Sequence, residues 1–183
     1  MTKVYIIHGW GHSSNMPWIK WLEEELGKKH GFEIFPLDMP NSSHPKIEEW
    51  VSYLKENVKE IGEKTYFVGH SIGCQTILRF LEKEPKSEHI KGCFFVAPWL
   101  ELMGLNDAEM TIAHPWTSSK INPERVAQHT GNITCLFSED DPYVSKEEIE
   151  KFKERFGAKI LMRKHERHFE ESKELRELLE FLK

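Results

Sequence analysis

Short apolar runs alternate along the chain with longer stretches in which apolar residues return every three or four positions. Runs rich in β-branched and aromatic residues at 4–8, 32–37, 65–69, 92–97, 133–138 and 158–162 predict strands. Several are continuously apolar, as strands buried on both faces of a parallel sheet are. Between them Ile47, Trp50, Val51, Leu54, Val58 and Ile61 share one helical face, and Leu175, Leu178, Leu179 and Leu182 share another. Helices are also predicted over 17–29, 71–83 and 145–156. The last opens with Ser145 and Glu148 at the spacing of a capping box, in which each side chain satisfies an orphan backbone donor. Strands alternating with helices predict an α/β fold of three layers, a mostly parallel sheet covered by helices. The one stretch without a clear period is 98–127, which reads as an irregular, lid-like connection, because a long apolar-tinged loop inside a compact domain usually serves a binding site.

Composition narrows the class. The 183 residues suit one domain spanning 1–183, and 39% hydrophobic residues supply a core. No apolar run approaches the ~20 residues needed to cross a bilayer. With 25 basic and 30 acidic residues spread along the chain, net charge −5, no electrostatic footprint for nucleic acid is present. The opening run, residues 4–7, is too short for a secretory leader, so a cytoplasmic location is expected. Cys74, Cys93 and Cys135 have no paired spacing and are read as reduced and buried.

The chemistry is concentrated around Gly69-His70-Ser71-Ile72-Gly73, a G-x-S-x-G string between a predicted strand and a predicted helix. A serine on so sharp a turn needs flanking glycines, because side chains there would collide with neighbouring backbone. It also sits at a helix N-terminus, where free N–H groups can stabilise a developing oxyanion. A hydroxyl becomes a useful nucleophile only when a base takes its proton and a third group orients that base. Suitable residues follow in order: Asp140 and Asp141 after the fifth strand, His165 and His168 after the sixth. Residues just past the carboxyl ends of parallel strands converge on one edge.

These motifs resemble those of α/β-hydrolases, and in particular the small serine hydrolases of the retinoblastoma-binding protein 9 type, a family without a large cap domain. The resemblance runs over almost the whole length: the glycine turn after the first strand, Asp38-Met39-Pro40, Gly-His-Ser-x-Gly, Pro115-Trp116, Asp140-Asp141-Pro142-Tyr143-Val144 and His168-Phe169. It implies a minimal α/β-hydrolase fold with six strands ordered 2-1-3-4-5-6. It also implies Ser71 as nucleophile, Asp141 as acid and His168 as base, with the backbone amides of Trp10 and Ile72 forming the oxyanion hole. One departure is that Arg167 stands where the family commonly has glycine before its histidine, which leaves His165 as an alternative base. Glu101 is an alternative acid, and Asp140 reads as a turn-stabilising carboxylate. His8 and His70 are expected to be packed turn residues.

Trp99, Met103, Met110 and Trp116 fall in loops sent to the same edge and are expected to line an apolar substrate pocket. Trp18, Trp21 and Trp50 lie on helical faces and are expected in packing. Neither the His8/His12 nor the His165/His168 pair lies in a predicted helix, and no H-E-x-x-H or phosphate-binding loop is present, so neither metal nor cofactor is expected. The expected function is cofactor-free hydrolysis of small carboxylic esters, with thioesters and small amides open to the same machinery, by a monomer or homodimer without nucleic-acid or membrane partners. The competing class is a binding protein on a hydrolase scaffold with a relict triad.

Overall fold

The computed structural model describes residues 1–182. Six strands form one sheet: β1 (Lys3–Ile7), β2 (Glu33–Leu37), β3 (Thr65–His70), β4 (Gly92–Val96), β5 (Ile133–Ser138) and β6 (Lys159–Arg163). Their order is β2-β1-β3-β4-β5-β6, and every pairing is parallel. The expected order is therefore found, with no antiparallel strand among the described residues. β3, β4 and β5 are buried at every residue, so both faces of the sheet are covered there. This is the physical reason their sequences are unbroken apolar runs.

The helices are α1 (Pro17–Leu22), which runs on through a π-helical stretch (Glu23–Lys28), α2 (Ile47–Asn57), α3 (Ile72–Leu81), α4 (Asp107–Ser118), α5 (Pro123–Ala127), α6 (Glu147–Phe156) and α7 (Arg176–Leu182). None among the described residues is long and apolar enough to cross a membrane. Trp18, Trp50 and Leu54 are fully buried, as their helical spacing predicts, and Trp21 packs against the core from its edge. α2 stops at Asn57, short of the apolar period; Val58 and Ile61 still pack on the core from the loop.

Two local expectations need correction. The segment 98–127 is largely helical, not irregular. α4 is opened by a true capping box, in which Asn106 accepts from the Glu109 N–H and Glu109 accepts from the Asn106 N–H, and it continues through Pro115. Conversely, Ser145 and Glu148 do not form a capping box at α6. Glu148 turns inward instead, accepting from the Leu100 N–H at 2.5 Å and from Lys151 at 2.6 Å.

The sheet register positions the site. Ile7 pairs with Gly69, His70 with Val96, Val96 with Leu136, and Ser138 with Arg163, so the carboxyl ends of β1, β3, β4, β5 and β6 lie together along one edge, β5 and β6 reaching slightly beyond β4. The loops that leave this edge carry the conspicuous residues of the sequence.

Candidate active site

Ser71 follows β3 directly and precedes α3, with φ 53° and ψ −121°. An L-residue with a side chain adopts that backbone only when its surroundings enforce it. Here the Ser71 N–H is bonded to the Val96 carbonyl at 2.9 Å. The two glycines are required by contact: a Cβ on Gly69 would lie 2.8 Å from the Cys74 backbone, and one on Gly73 only 2.3 Å from the Ile7 carbonyl oxygen. The turn thus presses α3 against the end of β1.

The Ser71 Oγ–H donates to His168 Nε2 at 2.9 Å, and His168 Nδ1–H donates to Asp141 Oδ2 at 2.8 Å. The other Asp141 oxygen accepts from the Tyr143 and Val144 amides at 2.9 and 3.1 Å, which fixes the carboxylate plane. All three residues are buried. Charges and dipoles in such a water-poor setting interact more strongly than at a surface.

The loops carrying Asp141 and His168 are fastened by Asp140. Its Oδ1 accepts from Ser138 Oγ at 2.7 Å and from the Arg167 N–H at 2.9 Å, while Ser138 Oγ accepts from the Glu166 N–H at 3.1 Å. These bonds hold the exposed Asp140 carboxyl below its usual range, the Ser138 bond contributing most. Arg167 and Phe169 flank His168 with φ 48° and 61°. The left-handed backbone at Arg167 explains why glycine suits that position; arginine there costs about 1–2 kcal/mol. His165 is exposed, 3.9 Å from Asp140, and Glu101 is exposed and paired with Lys151; it is His168, not His165, that bonds Ser71 Oγ, and Asp141, not Glu101, that bonds His168.

His70 and His8 brace the site from behind. The fully buried His70 donates Nε2–H to the His168 carbonyl at 2.7 Å, leaving Nδ1 without a partner among the described residues. Burial, reinforced by the neighbouring His168, drives its pKa well below the ordinary value. His8 accepts from the Met39 N–H at 2.9 Å and donates to the Gly9 carbonyl at 2.8 Å; burial lowers its pKa as well. It ties the loop after β1 to Asp38-Met39-Pro40. Trp10 in that loop is half-buried, with Nε1–H bonded to the Ser43 carbonyl. No hydrogen bond from the Trp10 amide occurs among the described residues, and Ile72 heads α3, where an amide has no intrahelical acceptor.

A cleft of about 280 Å³ opens over Ser71 and His168, walled by Trp10, His12, Leu102, Leu105, Tyr143 and Glu170 among others. The four expected pocket residues are not among them. Trp116 is 1% exposed and bonds the Pro45 carbonyl in the core. Met103 and Met110 are 44% and 49% exposed; Met103 borders a separate depression beside Val144. Trp99 is buried too, but its Nε1–H donates to Ser71 Oγ at 3.0 Å. Sequence reasoning mistook core and rim for cleft because large apolar side chains look alike in both settings. It missed Leu102, Leu105, Tyr143 and Glu170, for which only their proximity to Trp99, Asp141 and His168 in sequence was a signal.

The cysteines are free and buried, with burial pushing all three thiols up. Among the described residues no three His, Cys, Asp or Glu side chains gather in a way that could hold a metal ion.

A family model described as serine hydrolase matches residues 4–181. The sequence is similar to YdeN of Bacillus subtilis (strain 168), 29% identical over 170 residues, or 92% of this chain and 87% of that one. It is also similar to serine hydrolase RBBP9 of Rattus norvegicus, 23% identical over 186 positions covering 100% of this chain and 94% of its relative. The crystal structure of the B. subtilis ydeN product matches this one with a TM-score of 0.90 at 26% identity, over 100% of this chain and 97% of that chain. The fold is shared more distantly by esterase PF2001 of Pyrococcus furiosus, with a TM-score of 0.62 at 18% identity, over 99% of this chain and 80% of that chain.

Proposed function

Since this chain belongs to the serine hydrolase family, we propose that it cleaves small carboxylic esters through a covalent acyl intermediate on Ser71. The observation that carries this reading is the unbroken line from Asp141 through His168 to Ser71, with links of 2.8 and 2.9 Å, ending on a strained serine at a cleft. His168 takes the Ser71 proton as Oγ attacks the ester carbonyl and returns it to the leaving alkoxide. Asp141 holds the imidazole in the tautomer that leaves Nε2 free to accept and stabilises the imidazolium that forms. The Trp10 and Ile72 amides receive the oxyanion. Water then attacks the acyl carbon with His168 again as base, releasing the acid.

A cleft of about 280 Å³ favours small acyl and alcohol groups. Leu102, Leu105 and Tyr143 offer an apolar wall to the substrate. Thioesters and small amides meet the same machinery.

The test is a fluorophosphonate probe applied to the intact protein and to Ser71→Ala, with hydrolysis of p-nitrophenyl esters of graded chain length alongside. The intact protein should be labelled and should prefer short acyl chains. Ser71→Ala should escape labelling, with turnover lowered by about ten-thousandfold or more. Labelling of neither protein would return the chain to the reading of a binding module.

A further inference from the structure

We infer that the indole N–H of Trp99 is a catalytic donor that assists departure of Ser71 Oγ when water cleaves the acyl intermediate. The inference rests on the hydrolytic reading above. Trp99 lies three residues beyond β4, after Ala97, whose φ of 47° turns the chain, and its Nε1 is 3.0 Å from Ser71 Oγ. A hydroxyl oxygen has one proton to give and two lone pairs to receive. The proton is given to His168 Nε2, and one lone pair receives the indole N–H.

The donor is held from both sides. The Trp99 carbonyl accepts from Gln75 Nε2 at 3.2 Å, and Gln75 Oε1 accepts from the Arg79 guanidinium at 3.2 and 2.9 Å. Arg79 is anchored in turn on the Trp116 and Ser119 carbonyls, each at 2.9 Å. On the other side the N–H of Leu100 is fixed by Glu148. Gln75, Arg79 and Glu148 are buried and do not border the cleft over Ser71. An indole 1% exposed has no water to turn to, so its N–H stays aimed at the reacting oxygen.

The contribution differs between the two halves of the reaction. In the acyl intermediate Oγ is an ester oxygen and a poor acceptor. When water has added to the acyl carbon, the C–Oγ bond breaks and its electron pair stays on Oγ. The proton on His168 Nε2 passes to Oγ, and the carboxylic acid leaves. Negative charge builds on Oγ in that step, and the Trp99 bond strengthens with it. Before acylation the same bond is already made to the free hydroxyl, so less is gained. Only an interaction stronger in the transition state than in the state before it accelerates a step, so Trp99 favours deacylation over acylation.

The experiment follows p-nitrophenyl acetate with the intact protein, with Trp99→Phe, and with Trp99 replaced by its benzothiophene isostere, which keeps the shape and lacks the N–H. Acylation is read from the p-nitrophenol burst, and deacylation from the loss of acetyl mass on Ser71. Both variants should deacylate about tenfold more slowly, with kcat and KM falling together and the burst rate changed less than about threefold. Equal loss in both steps, or no change in the isostere, overturns the inference while leaving the hydrolytic reading standing. Absence of both burst and fluorophosphonate labelling in the intact protein sinks that reading, and the inference with it. If Trp99→Phe fails to fold, the isostere decides.

Discussion

Glu148 offers a test of how the fold supports the site. Its side chain is 1% exposed, and it joins α6 to the loop after β4 by accepting from the Leu100 N–H and from Lys151. In Glu148→Ala the Leu100 N–H is left buried without an acceptor, which costs about 1–3 kcal/mol. The vacated volume adds about 1 kcal/mol. Lys151 is 31% exposed and keeps Glu101 at 2.8 Å, so losing its second partner adds little. The sum is about 2–4 kcal/mol. Glu148→Gln keeps the shape and an acceptor for Leu100, and should lose no more than about 1.5 kcal/mol. With a urea slope of about 2 kcal/mol/M, the alanine variant's midpoint falls by about 1–2 M, the glutamine variant's by less than about 0.8 M. An alanine variant within about 0.5 M of the intact protein, or a glutamine variant equally damaged, would show that this buried carboxylate is not what holds the loop.

Two further outcomes are expected. His8 and His70 are kept neutral by burial, with pKa values below the ordinary 6.5. The unfolded chain therefore takes up protons that the folded chain refuses, so stability is whole above pH 6.5 and falls as pH drops below it. The slope reaches up to about 1.4 kcal/mol per pH unit for each histidine. Urea midpoints between pH 7.5 and 5 check this, and a flat profile contradicts it. In Gly73→Ala the new Cβ meets the Ile7 carbonyl at 2.3 Å, against a strand that cannot yield. A loss of about 1–3 kcal/mol is expected in a thermal melt, with ester hydrolysis falling as the loop carrying Trp10 is displaced; a variant as stable and active as the parent would refute the contact argument.

The fold was largely legible because parallel strands buried on both faces cannot hide: Phe67-Val68 and Cys93-Phe94-Phe95-Val96 are apolar with no polar partner positions. That Ser71, an aspartate of the 140/141 pair and a histidine of the 165/168 pair would meet was legible because each follows a strand end on the same edge of the sheet, whereas Asp141 and His168 were singled out by the family resemblance. The capping box at Ser145 failed because Glu148 has a better partner in Leu100, distant in sequence. The helix over Asp107–Ser118 was obscured by Pro115, although Asn106 and Glu109 stood at capping spacing. Trp99 was assigned to the pocket wall and not to Ser71 Oγ: its approach to Ser71 depends on a left-handed alanine, Ala97, and no local pattern announces that conformation.

The Ser138, Asp140 and Arg167 bonds have a consequence for how this architecture tolerates change. The acidic and imidazole arms are stapled together at their roots, independently of the path the chain takes between them. The exposed positions Glu150, Lys153 and Glu154 of α6 can therefore be rewritten without the arms drifting apart, while the buried Glu148 and Phe152 must stay. That outer helical face is a natural place to attach a reporter to a working hydrolase.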